Sequence, residues 1–260
     1  MRQNIKDFSP VAMTIAGSDS GGGAGIQADI KTFAHFGIHG TSAVTAITAQ
    51  NPCEVRRIDP LPPISVKTQI ETVFAKFAVG AIKTGMLFSP KIIETVAETL
   101  SNTNAVIVVD PVMVATSGAM LLKKSAIKSL QKFLLPLADW ITPNIPEAEI
   151  LANIQIKNLS DMAEAAKICS HKWNCGCIVK GGHLGTEKLR TDIVSFGKKI
   201  FALSSPSAGK DSLHGTGCSF SAALAACIAK GLDAKDALIQ SKSYIYGSIL
   251  EAVKTGINFK

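Results

Sequence analysis

Apolar positions along the chain recur in two alternating rhythms. Residues 11–16, 41–48, 105–109, 177–180 and 191–196 form short apolar runs that read as strands. The run 105–109 is β-branched, shows no in–out alternation and ends in Asp110-Pro111, the pattern of a parallel strand buried on both faces. Between these runs, residues 25–36, 64–77, 123–135, 159–171, 216–230 and 234–253 carry a helical period. In the second of them Val66, Ile70, Val73, Phe74 and Phe77 share one face. This alternation predicts an α/β fold with a mostly parallel sheet and helices on both faces. No repeat, low-complexity tract or linker interrupts it, so residues 1–260 are expected to form a single domain. Ligands of such sheets bind at the carboxyl ends of strands, which directs the search to the loops that follow strands.

Composition narrows the class. Hydrophobic residues make up 47% of the chain and charged ones 18%, below the charged share of about 25% in an average globular protein. That excludes disorder and leaves material for a large core. The longest nearly apolar stretch, residues 220–229, is broken by Ser221 and falls short of the ~18 residues of a membrane span. Residues 1–10 carry Asp7 and lack an apolar signal core, so a cytoplasmic location is expected, with the six cysteines as free thiols. Cys175 and Cys177 have no second ligand pair at zinc-like spacing and read as core thiols. The net charge of +7 and pI near 9.1 suit any polyanion. Aromatics at 6% and two short Lys pairs, 123–124 and 198–199, offer no base-stacking surface, so nucleic acid is not expected as a partner. Without an amphipathic or apolar anchor, neither is a membrane. A small anionic ligand is.

Three glycine-rich loops follow predicted strands. The first, Gly17-Ser18-Asp19-Ser20-Gly21-Gly22-Gly23-Ala24-Gly25, contains Gly23-x-Gly25-x-x-Ala28, a dinucleotide-like spacing. No acidic residue stands about 20 positions on to hold a ribose, which excludes a nicotinamide site. The glycines instead let a ligand approach the backbone, with Asp29 one helical turn further on, unless the segment is only a flexible turn. The second loop, His214-Gly215-Thr216-Gly217-Cys218-Ser219, opens an Ala-rich helix. Backbone N–H groups there, freed of side chains by Gly215 and Gly217, make an anion site. Cys218 falls in the first turn, where the helix dipole favours a thiolate able to take a proton from an attacking hydroxyl. The plainer alternative is a glycine-initiated core helix with a buried Cys.

The third loop is Lys180-Gly181-Gly182-His183, followed by Gly185-Thr186. A Lys beside glycines after a strand suits a phosphate, although the P-loop pattern G-x-x-x-x-G-K-S/T occurs nowhere. Thr142-Pro143-Asn144-Ile145-Pro146-Glu147 sets an amide and a carboxylate three apart at a helix start. Glu147 is either an ordinary acidic first turn or a Mg²⁺ contact through water, since that ion takes one or two carboxylates plus phosphates. Ser125-x-x-Lys128 and Lys83-Thr84-Gly85 copy two penicillin-recognising signatures in the wrong order and without the third. They are chance matches. His35, His39 and His171 have no partner spacing and read as surface or packing residues.

Together these segments carry a resemblance. Residues 16–29, Ala49-Gln50-Asn51, Lys83-Thr84-Gly85-Met86-Leu87, Asp110-Pro111-Val112-Met113, Thr142-Pro143-Asn144, Lys180-Gly181-Gly182-His183 and His214-Gly215-Thr216-Gly217-Cys218 stand in this order. In that order they resemble the hydroxymethylpyrimidine/phosphomethylpyrimidine kinases of thiamine biosynthesis, within the ribokinase-like superfamily, over about residues 11–229. The resemblance implies a ribokinase-like fold, a homodimer, and phosphorylation of 4-amino-5-hydroxymethyl-2-methylpyrimidine and of its monophosphate by ATP with Mg²⁺. It implies that Gln50 hydrogen-bonds the aminopyrimidine edge and that Gly17, Ala24, Asp29, Met86 and Val112 line the pyrimidine pocket. Gly215, Thr216 and Gly217 would form the anion hole, with Cys218 as base. Asn144, Lys180 and Thr186 would bind the nucleotide, and Glu147 and Asp110 the metal. Ser212-Leu213 depart from the Asn-Thr usual before the His of that last block, and residues 207–212 read as a lid. Two alternatives stay open: a pyridoxal or pyridoxine kinase of the same superfamily, and a nucleotide- or pyrimidine-binding sensor without catalysis.

Overall fold

Nine strands among the described residues join one sheet in the order β3-β2-β1-β4-β5-β6-β7-β8-β9. They are β1 (Val11–Asp19), β2 (His39–Asn51), β3 (Glu54–Pro60), β4 (Val79–Thr84), β5 (Val106–Val109), β6 (Trp140–Ile141), β7 (Gly176–Val179), β8 (Leu189–Phe196) and β9 (Lys199–Pro206). The pairings from β2 across to β7 are parallel, and β3, β8 and β9 add antiparallel edges. The helices are α1 (Gly25–His35), α2 (Pro63–Phe74), α3 (Pro90–Leu100), α4 (Lys124–Ser129), α5 (Ile145–Ala152), α6 (Leu159–Trp173), α7 (Thr216–Ala229) and α8 (Ala234–Thr255). The computed structural model describes residues 10–51, 53–113, 122, 124–182, 184, 188–208 and 215–255. Thr186, His183, Ser212-Leu213 and His214 lie outside the described residues, as does most of the expected lid.

Successive residues of the central strands feed opposite faces. Met13, Ile82, Val109, Ile141 and Val179 enter one core with Val66, Ile93, Leu151 and Met162 of α2, α3, α5 and α6. Ala12, Ala81, Val108, Trp140 and Ile178 enter the other with Phe33 of α1, Leu224 of α7 and Leu238 of α8. The small Ala12 and Ala81 lie where the Ala-rich α7 packs, and a Cβ on Gly80 would sit 3.4 Å from the Cα of Ala229. Helix α7 therefore approaches the sheet closely. No described helix is long and apolar enough to cross a membrane.

The periodicity reading finds the central frame and misses β3, β4, α3 and β9. Strand β4 hides its apolar run behind Gly80 and a Lys, Lys83, that turns out to be fully buried. Strands β3 and β9 are sheet edges with exposed side chains and so lack a clear buried face. Helix α3 carried a legible start: Ser89 caps it by accepting from Ile92 N, and Pro90 opens its first turn. The helix expected over 123–135 stops at Ser129 and continues as a π turn (Leu130–Leu134) and a 3₁₀ turn (Leu135–Leu137). Pro136, with no N–H to give to the preceding turn, accounts for the break.

Candidate active site

Strand β1 has β2 on one side and β4 on the other, so the crevice beyond its carboxyl end is the topological switch point. The loop that leaves β1 is organised by a carboxylate. Asp19 is buried, and its oxygens accept from Gly21 N (2.8 Å), Gly23 N (3.1 Å) and Ala24 N (2.8 Å). Those three amides are thereby occupied, so the loop offers close backbone approach and not a phosphate nest. Gly25 has φ +59°, and a Cβ there would lie 2.3 Å from the Gly17 carbonyl oxygen, which only glycine avoids.

The end of β2 is laced to this loop. Thr48 Oγ1 donates to Ser18 O (2.9 Å), Ser20 Oγ donates to Gln50 O (2.7 Å), and Gln50 N donates to Ser20 Oγ (2.9 Å). Pairing with β3 slips at Ala49/Gln50, a bulge of the kind that re-aims a side chain. A Cβ on Gly17 would overlap Met86 Cε at 2.6 Å, and Thr45 Oγ1 holds the Met86 carbonyl at 2.7 Å. Gly17, Met86 and the end of β2 that carries Gln50 are thus tied together at the carboxyl ends of β1, β2 and β4. Val112, in the turn after β5, has φ +42°, a strained conformation for a β-branched residue. Its neighbour Met113 is pinned by donating N–H to Glu147 Oε1 at 2.8 Å.

On the other side, the carboxyl ends of β5, β6 and β7 bring four polar residues together. Lys180 forms a parallel bridge with Asn144 and donates its N–H to Pro143 O (2.9 Å). Its ammonium meets Asp110 Oδ1 at 3.0 Å, and the second Asp110 oxygen accepts from Ser221 Oγ of α7 at 3.1 Å. Asn144 and Glu147 form a reciprocal capping box at the start of α5. Burial alone would push the Lys180 ammonium down, and the Asp110 and Glu147 carboxylates reverse this, holding it above its ordinary pKa.

The N-terminus of α7 closes the site between the two halves. Gly215 has φ +86°, and a Cβ on it would stand 1.9 Å from Gly23 O, so the two glycine loops touch. A Cβ on Gly217 would stand 3.1 Å from Lys180 Nζ, so the ammonium lies against the first turn of α7. Cys218, half-buried in that turn, departs from the expected thiolate. Burial pushes its thiol up; Lys83 and Lys180 pull it down, Asp110 and Asp29 oppose them, and the net shift is upward.

The chain matches a family profile described as phosphomethylpyrimidine kinase over residues 19–260. The hydroxymethylpyrimidine/phosphomethylpyrimidine kinase of Haemophilus influenzae is 44% identical over 248 residues, covering 94% of this chain and 92% of the relative. The chain belongs to the phosphomethylpyrimidine kinase family. Its counterpart from Bacillus subtilis is 42% identical, covering 94% of this chain and 89% of that one. A crystal structure of the Clostridium difficile phosphomethylpyrimidine kinase superposes with a TM-score of 0.82 at 41% identity, covering 92% of this chain and 98% of that one. An ADP complex of Bacillus subtilis pyridoxal kinase gives 0.86 at 38% identity, covering 92% and 91%. The ribokinase-like α/β fold expected from the sequence is the fold these kinases share.

Against this kinase frame, one expected pocket residue needs correcting. Asp29 does not face open space: it is fully buried, and Lys83 Nζ meets its two oxygens at 2.9 and 2.8 Å while Thr14 Oγ1 donates to it at 2.6 Å. Burial by itself would push the Lys83 ammonium down; Asp29, with Cys218 and Asp110, holds it well above its ordinary range instead. Lys83 stands in one of the blocks that carry the resemblance but has no role there, and its pairing with Asp29 is what the sequence does not show. A lysine inside an otherwise apolar strand was its signal. Asp110 lies beside Lys180, with both oxygens engaged by Lys180 and Ser221.

Proposed function

We propose that this chain transfers the γ-phosphoryl group of ATP to the hydroxymethyl oxygen of 4-amino-5-hydroxymethyl-2-methylpyrimidine, and then phosphorylates the monophosphate. The observation that carries this reading is the Lys180 ammonium lying against Gly217 in the first turn of α7, across from the wall of Gly17, Met86 and Gln50. The Gln50 amide, whose Oε1 accepts from Thr48 Oγ1 at 3.3 Å, carries both donor and acceptor groups, which suits an aminopyrimidine edge presenting both. Gly17, Ala24, Met86 and Val112 shape the ring pocket. The N–H groups of Gly215, Thr216 and Gly217 in the first turn of α7, with Lys180, stabilise charge on the transferring group, the largest contribution a protein makes to this reaction. Asn144, with Thr186, serves the nucleotide.

Among the described residues no group of three or more His, Cys, Asp or Glu can hold a metal alone. Each oxygen of Asp110 and Glu147 already has a partner, Lys180 and Ser221 for Asp110 and the Met113 and Asn144 N–H groups for Glu147, so the two carboxylates would hold a Mg²⁺ through bridging water, with most of its ligands from phosphate and water. Such an ion would supply positive charge that offsets the charge of the donor phosphates. The thiolate form of Cys218 accepts the hydroxyl proton and becomes the thiol. Because burial raises that thiol above its ordinary value, the thiolate is a minority form at neutral pH, which a loose phosphoryl-transfer transition state with little demand on a base tolerates. The same reading takes the whole chain as one kinase domain working as a cytoplasmic homodimer, and a molar mass in solution tests the dimer.

Likeness to a pyridoxal kinase favours pyridoxal as a second acceptor. Purified protein with ATP and Mg²⁺ is offered each alcohol, and products are identified by mass. The proposal expects mono- and diphosphorylated pyrimidine; phosphorylated pyridoxal with the pyrimidine untouched overturns it. No turnover of either would leave a binding protein.

A further inference from the structure

Beyond the site itself, the described residues hold a further buried ion pair that the reaction does not use. Asp192 on β8 and Lys242 on α8 meet at 2.7 Å, with side chains 7% and 12% exposed. The second Asp192 oxygen accepts the N–H of Gly181 at 2.9 Å, in the loop after β7. Gly181 is itself wedged, since a Cβ would lie 1.8 Å from Thr191 O. Lys180 immediately precedes it, with its N–H fixed by Pro143 O at 2.9 Å and its ammonium by Asp110 at 3.0 Å. A continuous path therefore runs from α8 through Lys242, Asp192 and Gly181 to the ammonium that faces the first turn of α7.

A buried ion pair is poor evidence for stability, because desolvation consumes most of its attraction. What it fixes is geometry. Asp192 joins two elements remote in sequence, and the group it holds is a backbone amide one residue from Lys180, not another core side chain. We propose that Asp192 and Lys242 are positioning residues for the nucleotide phosphates: they hold the Gly181 backbone so that Lys180 meets the donor at the mouth of α7. This rests on the reading of Lys180 given above. Displacing a phosphate contact by about an ångström costs up to roughly 100-fold in the reaction, so a loosened loop should weaken use of ATP and spare the acceptor alcohol.

The test is steady-state kinetics of the full chain, well below its unfolding temperature, with ATP and pyrimidine varied separately. Lys242→Met and Asp192→Asn should each raise KM for ATP by about tenfold and change KM for the pyrimidine less than twofold. Lys242→Arg should restore KM for ATP. Amide exchange at Gly181, followed by mass spectrometry, should quicken in Lys242→Met and return to the native rate in Lys242→Arg. Lys180→Met is the internal reference. If it leaves KM for ATP and kcat unchanged, the reading of Lys180 itself fails. If it impairs ATP use while folded Lys242→Met and Asp192→Asn only lower the melting temperature, the pair is structural and the proposal is overturned. Should Asp192→Asn not fold, Lys242→Met and Lys242→Arg decide alone, and equal KM for ATP in both contradicts the proposal.

Discussion

Lys83→Met removes the cation beneath the β1 loop and leaves a carboxylate with one remaining partner. Both Lys83 and Asp29 are fully buried, and Lys83 supplies two of the three hydrogen bonds that Asp29 receives. Charge-assisted bonds contribute about 1.5–3 kcal/mol each, so losing two costs about 3–6 kcal/mol. Broken buried pairs, at about 3–5 kcal/mol, agree with that. With an unfolding entropy of about 2.1 cal/mol/K per residue, a chain of this length should lose about 5–11 °C in Tm. Burial raises the Asp29 carboxyl even with Lys83 present, so the pair as a whole stabilises little. The double variant Asp29→Leu/Lys83→Met removes both charges and should lie within about 2 kcal/mol of the native protein. Scanning calorimetry at neutral pH reads the native protein, Lys83→Met, Asp29→Leu and the double variant. Single losses that simply add in the double variant would refute the reasoning, because they would mean that each residue stabilises the fold by itself.

Other consequences follow from the α7 turn and the β5 turn. Since the Cys218 thiol lies above its ordinary value, the thiolate fraction grows with alkalinity, so kcat should climb from roughly pH 7 to 9. Cys218→Ala should be slower and flat over that range, and Lys83→Met, which removes a cation that lowers the thiol, should displace the rise to higher pH; equal slopes in native and Cys218→Ala proteins would remove the cysteine from the mechanism. Gly215→Ala must move the chain away from Gly23 O and leave a favoured glycine conformation, at about 1–3 kcal/mol. Thermal melts should record that loss, together with a fall in kcat greater than that of Cys218→Ala. Val112→Gly relieves the positive φ and so should cost less than about 1 kcal/mol in urea unfolding, while KM for the pyrimidine rises as the pocket wall is lost.

What could be read in the sequence was what backbone geometry demands. Gly215 and Gly217, Gly17, and the Asn144–Glu147 spacing were legible because a close approach or a cap admits few residue types. Lys180 was legible as a lysine between a strand and glycines. Partners far apart in the chain were not. Asp29 reads as a ligand-facing acid until β4 is seen beside β1, which brings in Lys83 from 54 residues away. Asp192 and Lys242, 50 residues apart, have no local signature at all. The cysteines at 175 and 177 are the core thiols expected: both are buried, and burial pushes the Cys175 thiol up to about 12. Lys83, Lys180 and Lys242 are each matched by an aspartate, Asp29, Asp110 and Asp192, so the net +7 lies elsewhere in the chain and not in these pairs.

The central claim is that the crevice is divided, with the pyrimidine on the β1–β2–β4 side and the nucleotide on the β5–β6–β7 side, meeting at the first turn of α7. Calorimetric titration of the pyrimidine and of ATP with Mg²⁺ into native, Gln50→Ala and Lys180→Ala proteins tests it directly. Gln50→Ala should weaken the pyrimidine by about tenfold, the worth of one to two hydrogen bonds, and leave ATP unchanged. Lys180→Ala should do the reverse. If each variant weakens both ligands alike, or the two effects are exchanged, the division is wrong.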